Sequence, residues 1–185
     1  ATRGSTVVVD RLVITFRYRA PQLADSTVPF TELAVNVGSK AQIADDGGVI
    51  WEPDQPYRAG SFGYVGGDAV QFSRELPVRQ TSLPPLYITY RKNVSAYRFD
   101  VPDGDYELEL HFAEPTATAA GARVMDVLVN GQPALTGFDL LQQAGTGIAV
   151  PITVPVRATA GGGIQVTFTA RVGETVLNGI RVRKR

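Results

Sequence analysis

Apolar and polar residues alternate with a period of two along most of this chain. In DRLVITFRYR, Leu12, Ile14, Phe16 and Tyr18 interleave with Arg11, Thr15, Arg17 and Arg19. In YELELHF, Tyr106, Leu108, Leu110 and Phe112 share one parity, and Glu107, Glu109 and His111 the other. GIQVTFTAR repeats the pattern with Ile164, Val166, Phe168 and Ala170 against Gln165, Thr167, Thr169 and Arg171. Successive strand residues point to opposite faces, so each run predicts a strand with one face buried and one wet. LAVNV (33–37), LYITYR (86–91), AYRFDV (96–101), RVMDVLVNG (123–131) and NGIRVR (178–183) predict further strands. Val-Pro-Asp-Gly-Asp at 101–105 reads as a turn that sets AYRFDV antiparallel to YELELHF. Asn130-Gly131 is a hairpin signal, because both central positions of a type I′ turn need positive φ. The best helical candidate is FDLLQQAG (138–145), one or two turns ended by Gly145. Regularly spaced strands with few helices predict an all-β domain, a β-sandwich or jelly roll. Residues 38–85 break the pattern. They are rich in glycine and proline, and a stretch that long is either a functional loop or holds concealed structure.

Composition narrows the chemistry. The 185 residues suit one domain, and 44% hydrophobic content is that of a globular chain. Lysine plus arginine balances aspartate plus glutamate at 18 each, which argues against nucleic acid or an anionic membrane as partner. The absence of cysteine excludes thiol nucleophiles and thiolate metal sites. One histidine excludes a histidine-rich metal cluster, and no apolar run approaches the roughly 20 residues of a membrane span. The start at ATRGSTVVVD without methionine suggests a piece of a longer polypeptide.

No catalytic constellation stands out. His111 lies on the strand face opposite Leu108, Leu110 and Phe112, and the G-x-S-x-G elbow, phosphate loop and dinucleotide fingerprint are all absent. Asp100, Asp103, Asp105 and Glu114 could form a carboxylate pair, but Asp103 and Asp105 are better read as turn residues. Nothing in the sequence calls for a cofactor or a metal.

Binding is better supported. Between 51 and 91 lie Trp51, Tyr57, Phe62, Tyr64, Phe72, Tyr87 and Tyr90, from a total of eight Phe, seven Tyr and one Trp. Arg58, Arg74, Arg79 and Arg91 are interspersed among them. A flat ring for the C–H face of a sugar, with charged or amide groups for its hydroxyls, is the chemistry of saccharide recognition. In YRAGSFGYVGG (57–67), Tyr57 is expected to pack the loop, while Phe62 or Tyr64 points outward. On LYITYR, Tyr87 and Tyr90 should face opposite ways.

The order LAVNVGSKAQIADDGGVIWEPDQPY, GSFGYVGG, PPLYITYR, AYRFDVPDGDYELELHFAEP, RVMDVLVNGQPAL and GETVLNGIRVR resembles the malectin family. It is closer still to the malectin-like module at the C-terminal end of bacterial family 2 glycoside hydrolases, the β-galactosidase group. The resemblance covers 33–185, leaving 1–32 as a lead-in strand or arm. It implies a jelly-roll β-sandwich of the galactose-binding-like kind that binds carbohydrate and lacks catalytic machinery.

Animal members bind glucosylated glycan ends through aromatics on loops at one end of the sandwich and a late aspartate. The first of those tyrosines matches the Phe62-Gly63-Tyr64 stretch. The second falls near Lys92, two residues from Tyr90. The aromatic pair after F-A-E is Pro115-Thr116 here, and the aspartate falls near Gly173-Glu174, so the animal sugar cage is not reproduced.

The expected ligand contacts are therefore Phe62, Tyr64, Tyr87 and Tyr90, with Arg91 and Glu174 at the rim. The expected setting is a secreted or periplasmic bacterial glycoside hydrolase, and the expected partners are an oligosaccharide or polysaccharide and the catalytic domains of the same polypeptide. The alternative is a structural domain that packs on the catalytic part without binding sugar, with STVVVDRLVITF as its docking arm.

Overall fold

The computed structural model describes residues 31–72 and 78–185. The strand expected in DRLVITFRYR, the arm STVVVDRLVITF, most of the 1–32 lead-in and Arg74 lie outside those residues. The strands, in chain order, are β1 (Glu32–Asn36), β2 (Ile43–Ala44), β3 (Ile50–Pro53), β4 (Phe62–Val65), β5 (Asp68–Gln71), β6 (Thr89–Lys92) and β7 (Ala96–Phe99). They continue with β8 (Gly104–Phe112), β9 (Val124–Val129), β10 (Gln132–Phe138), β11 (Val150–Ala158), β12 (Ile164–Val172), β13 (Val176–Leu177) and β14 (Gly179–Lys184).

A six-stranded sheet, ordered β11-β8-β14-β1-β3-β2, faces a five-stranded one, ordered β10-β9-β12-β7-β4; a smaller sheet, β13-β6-β5, closes one end. The period-two runs explain the layers. Tyr106, Leu108, Leu110 and Phe112 of β8 are fully buried, as are Tyr97 and Phe99 of β7 and Met125 and Val127 of β9. Phe112 and Phe138, from opposite sheets, meet with ring centroids 5.4 Å apart. The fold is the expected all-β sandwich.

Several local expectations hold. Asn130 (φ 48°) and Gly131 (φ 77°) both adopt left-handed conformations and join β9 to β10. The FDLLQQAG candidate forms a short helix, α1 (Leu140–Gln143), capped by Asp139, whose carboxylate accepts from Leu141 N and Gln142 N. Residues 38–85 do hold concealed structure, namely β2 to β5 and a 3₁₀ turn at Pro84–Tyr87.

Two expectations do not hold. The turn at 101–105 does not pair β7 with β8. β7 lies between β12 and β4, whereas β8 lies between β11 and β14, so the turn carries the chain from one sheet to the other. Asp and Gly make a reversal easy without specifying a hairpin. Here each strand presents its apolar face to the shared core from its own side, and the Tyr106 hydroxyl donates to the Pro102 carbonyl (2.7 Å) to hold the corner. The second failure is in LYITYR, which is extended only from Thr89. Pro84 and Pro85 fix their φ and lack N–H donors, so Leu86 and Tyr87 fall in the 3₁₀ turn. The opposite-face rule does not apply, and both Tyr87 and Tyr90 are buried.

Candidate site at the loop rim

Four segments meet at the end of the sandwich closed by the small sheet: the β4–β5 loop, the residues after β6, segment 114–123 and Gly173–Glu174. Each is tied to a neighbour by a side chain. The Arg91 guanidinium donates from Nε (3.0 Å) and Nη2 (2.9 Å) to Asp54 Oδ2, and from Nη1 to the Gly67 carbonyl (2.7 Å). It also lies 3.3 Å from the centroid of the Tyr64 ring. Asp54 accepts further bonds from Gly38 N (2.7 Å) and the Tyr97 hydroxyl (2.7 Å), so the buried pair is fully satisfied. Burial, and then the Asp54 charge, push the Tyr97 hydroxyl well above its ordinary pKa. Gly67 is required for this approach. It has φ 80°, and a Cβ there would stand 2.5 Å from the Lys92 carbonyl oxygen.

A second buried pair supports the adjoining segments. Glu114 accepts from Arg123 Nε (2.8 Å) and from the backbone N–H groups of Thr116 and Ala117. Arg123 Nη1 reaches on to the Glu174 carbonyl (2.9 Å). The Glu174 carboxylate accepts from Asn93 Nδ2 (3.1 Å) and lies 3.7 Å from Lys92 Nζ. Lys92 and Glu174 keep 37% and 41% of their side-chain surface in solvent, so this polar mouth is open.

The six expected contact residues are dispersed. Phe62 is a core residue with no exposure, stacked on Phe99 at 6.3 Å, because it occupies the inward parity of β4. Tyr87 is buried on the outer face of the six-stranded sheet, with its hydroxyl on His111 Nδ1 (2.9 Å). Tyr90 is buried beneath the rim against Phe72. Of Phe62 and Tyr64, it is therefore Tyr64 that keeps exposure, and Phe62, Tyr87 and Tyr90, named as ligand contacts, are all three buried. Arg91 is 5% exposed and committed to Asp54, which corrects its placement as a free rim cation. Tyr64, half-buried, and Glu174 are the two that reach the rim. Tyr57 packs the loop as expected, its hydroxyl on Asp100 (2.8 Å) and the Arg98 guanidinium over its ring.

Sequence reasoning missed Asp54, Arg123 and Asn93, and it named Glu114 and Lys92 without the partners they have here. Asp54 had a signal: a carboxylate between Pro53 and Pro56 in the WEPDQPY run, beside a buried tryptophan, has to be held by something. Among the described residues no cluster of three or more His, Cys, Asp or Glu could hold a metal.

The chain matches, over residues 31–180, the family model described as Malectin domain. It is 32% identical over 185 residues to "Kinesin-like protein KIN-14E" of Oryza sativa subsp. japonica, covering 95% of this chain and 16% of that protein. It is 28% identical over 155 residues to Malectin-A of Xenopus laevis, covering 79% of this chain and 54% of that one. Among solved structures, a Bacteroides uniformis beta-glucuronidase is similar with a TM-score of 0.77 and 32% identity, over 83% of this chain and 18% of the enzyme.

Proposed function

This chain belongs to the malectin domain family, and we propose that it is a non-catalytic carbohydrate-binding module carried by a larger bacterial glycoside hydrolase of the β-galactosidase or β-glucuronidase type. It has a carbohydrate-binding fold, and the similar segment in the beta-glucuronidase makes up only 18% of that enzyme. The observation that carries the reading is the open polar mouth at the rim. There the Asn93 amide and the Lys92 ammonium both lie against the Glu174 carboxylate, and the half-buried Tyr64 ring is held from below by Arg91. Amide, carboxylate and ammonium groups give the directional bonds that sugar hydroxyls require, and Tyr64 supplies a ring stiffened by Arg91.

Such a mouth binds a single sugar weakly, with Kd on the order of millimolar. Tethering to an enzyme raises the effective concentration at a polymeric substrate. The proposed setting is secreted or periplasmic; among the described residues no helix is long and apolar enough to cross a membrane.

Titration of the chain with glucosides, galactosides and plant oligosaccharides, followed by calorimetry and amide chemical shifts, tests the reading. Shifts should concentrate at residues 64–67, 92–93 and 174, and Asn93→Ala and Glu174→Ala should each weaken binding. A silent panel, with neither heat nor shifts at those positions, overturns it.

The burial of Phe62, Tyr87, Tyr90 and Arg91 favours a second reading, in which the domain braces the catalytic part of its host. In that case the chain binds the isolated catalytic domains of its host and no sugar.

A further inference from the structure

Away from the rim, the outer face of the six-stranded sheet carries a groove of about 560 Å³. Its floor follows from strand register. Trp51, Ala34, Arg181 and Glu109 lie in one row across β3, β1, β14 and β8, and His111 lies opposite Gly179 in the next row. The missing side chain at Gly179 lets Leu86 settle on the sheet, since a Cβ there would stand 2.9 Å from Leu86 Cδ1. The 3₁₀ turn thereby forms one wall and delivers Tyr87 to His111, while the loop at Asp45–Val49 forms the other.

His111 is the focus. Its ring packs edge-on against Trp51 at 5.0 Å and against Tyr87 at 6.0 Å. Nδ1 is taken by the Tyr87 hydroxyl, whereas the buried Nε2 makes no close hydrogen bond and faces Glu109 Oε2 at 3.5 Å. A buried polar atom left without a partner is costly and is relieved by any small hydroxylic group that enters. Glu109 and Arg181 flank it, and the exposed Asp46 and Gln80 sit at the lip.

We propose that this groove is a second ligand site that takes a neutral pyranose, with His111 Nε2, Glu109 and Arg181 sharing the hydroxyls of one ring. The volume fits one or two sugar rings. Carboxylates at Asp45, Asp46 and Glu109 outnumber the Arg181 cation, which is already paired with Glu32, so an anionic sugar is repelled. The sugar class rests on the proposed carbohydrate-binding function, but the site is separate from the rim.

The test is a chemical-shift titration of the 185-residue chain with methyl β-glucoside, methyl β-galactoside and glucuronate. Expected are shifts of the His111 ring and of the Thr81 and Ser82 amides with a neutral glycoside and none with glucuronate. His111→Gln should weaken this binding by roughly tenfold, the equivalent of one lost hydrogen bond. Asp46→Ala and Gln80→Ala, at exposed positions, keep the test alive if His111→Gln does not fold, and each should reduce the groove shifts. Shifts at the rim alone overturn the second site and leave the rim reading standing. No shifts at either place overturn both, and equal shifts with glucuronate overturn the neutral-sugar assignment.

Discussion

At the rim, each buried charge is answered: Arg91 by Asp54, Arg123 by Glu114, with backbone N–H groups filling the remaining lone pairs. In the groove, His111 is answered closely on one side, by Tyr87, and only at 3.5 Å on the other, by Glu109. Both regions contain aromatics beside charged residues and look alike as strings of letters. The difference is that the satisfied ion pairs pin loops together, whereas the loosely held histidine is what the proposed second site draws on. The rim can offer a ligand only what is left over after its own bracing.

That contrast can be broken or sharpened by mutation. The largest expected effect is at Asp54→Ala, which strands the Arg91 guanidinium in the interior. Unfolding free energy should fall by about 3–5 kcal/mol in urea titrations, and replacing both partners by apolar residues should restore most of it. If Asp54→Ala costs less than about 1 kcal/mol, the rim is not held as described. Next is Tyr97→Phe, which removes one donor to the same carboxylate; a loss of about 1.5–3 kcal/mol is expected by the same measurement. In the groove, Tyr87→Phe removes a neutral bond to a histidine and should cost only about 0.5–1.5 kcal/mol.

A pH series sharpens the comparison further. The Glu109 carboxyl is held below its ordinary value, first by the His111 imidazole and then by Arg181, with burial opposing them. Because the folded value is the lower one, this stabilisation is present above the unfolded pKa of about 4.3 and is lost as pH falls through the folded value. The thermal midpoint should therefore drop below about pH 4, and less steeply in Glu109→Gln. The smallest effect is at Arg157→Ala. Its pair with Asp105 is largely in solvent, so the thermal midpoint at neutral pH should not move measurably.

The layers of the sandwich were legible because Tyr106 to Phe112 and Ile164 to Phe168 announce their faces by parity alone, although Ala170, on the same parity, is exposed. Asn130-Gly131 and the Asp139 cap were legible because their chemistry is local. The crossing at 101–105 was not, since which sheet receives β8 depends on partners far along the chain, β11 and β14. The burial of the candidate contact residues was less legible. The glycine-rich β4–β5 loop does reach the rim, but Phe62 obeys a strand parity hidden by the flanking glycines, and Arg91 is consumed by Asp54, a partner 37 residues away. Burial of an aromatic in a loop-like sequence depends on long-range pairing, which spacing does not encode.

One feature of the six-stranded sheet bears on how the domain answers force. Glu32, opening β1, pairs with Arg183, near the close of β14. Tension applied between the start of β1 and the end of β14 therefore loads that ladder like a zipper, one rung at a time, rather than in shear. Under a pull, the seam between β1 and β14 is where the domain should come apart first.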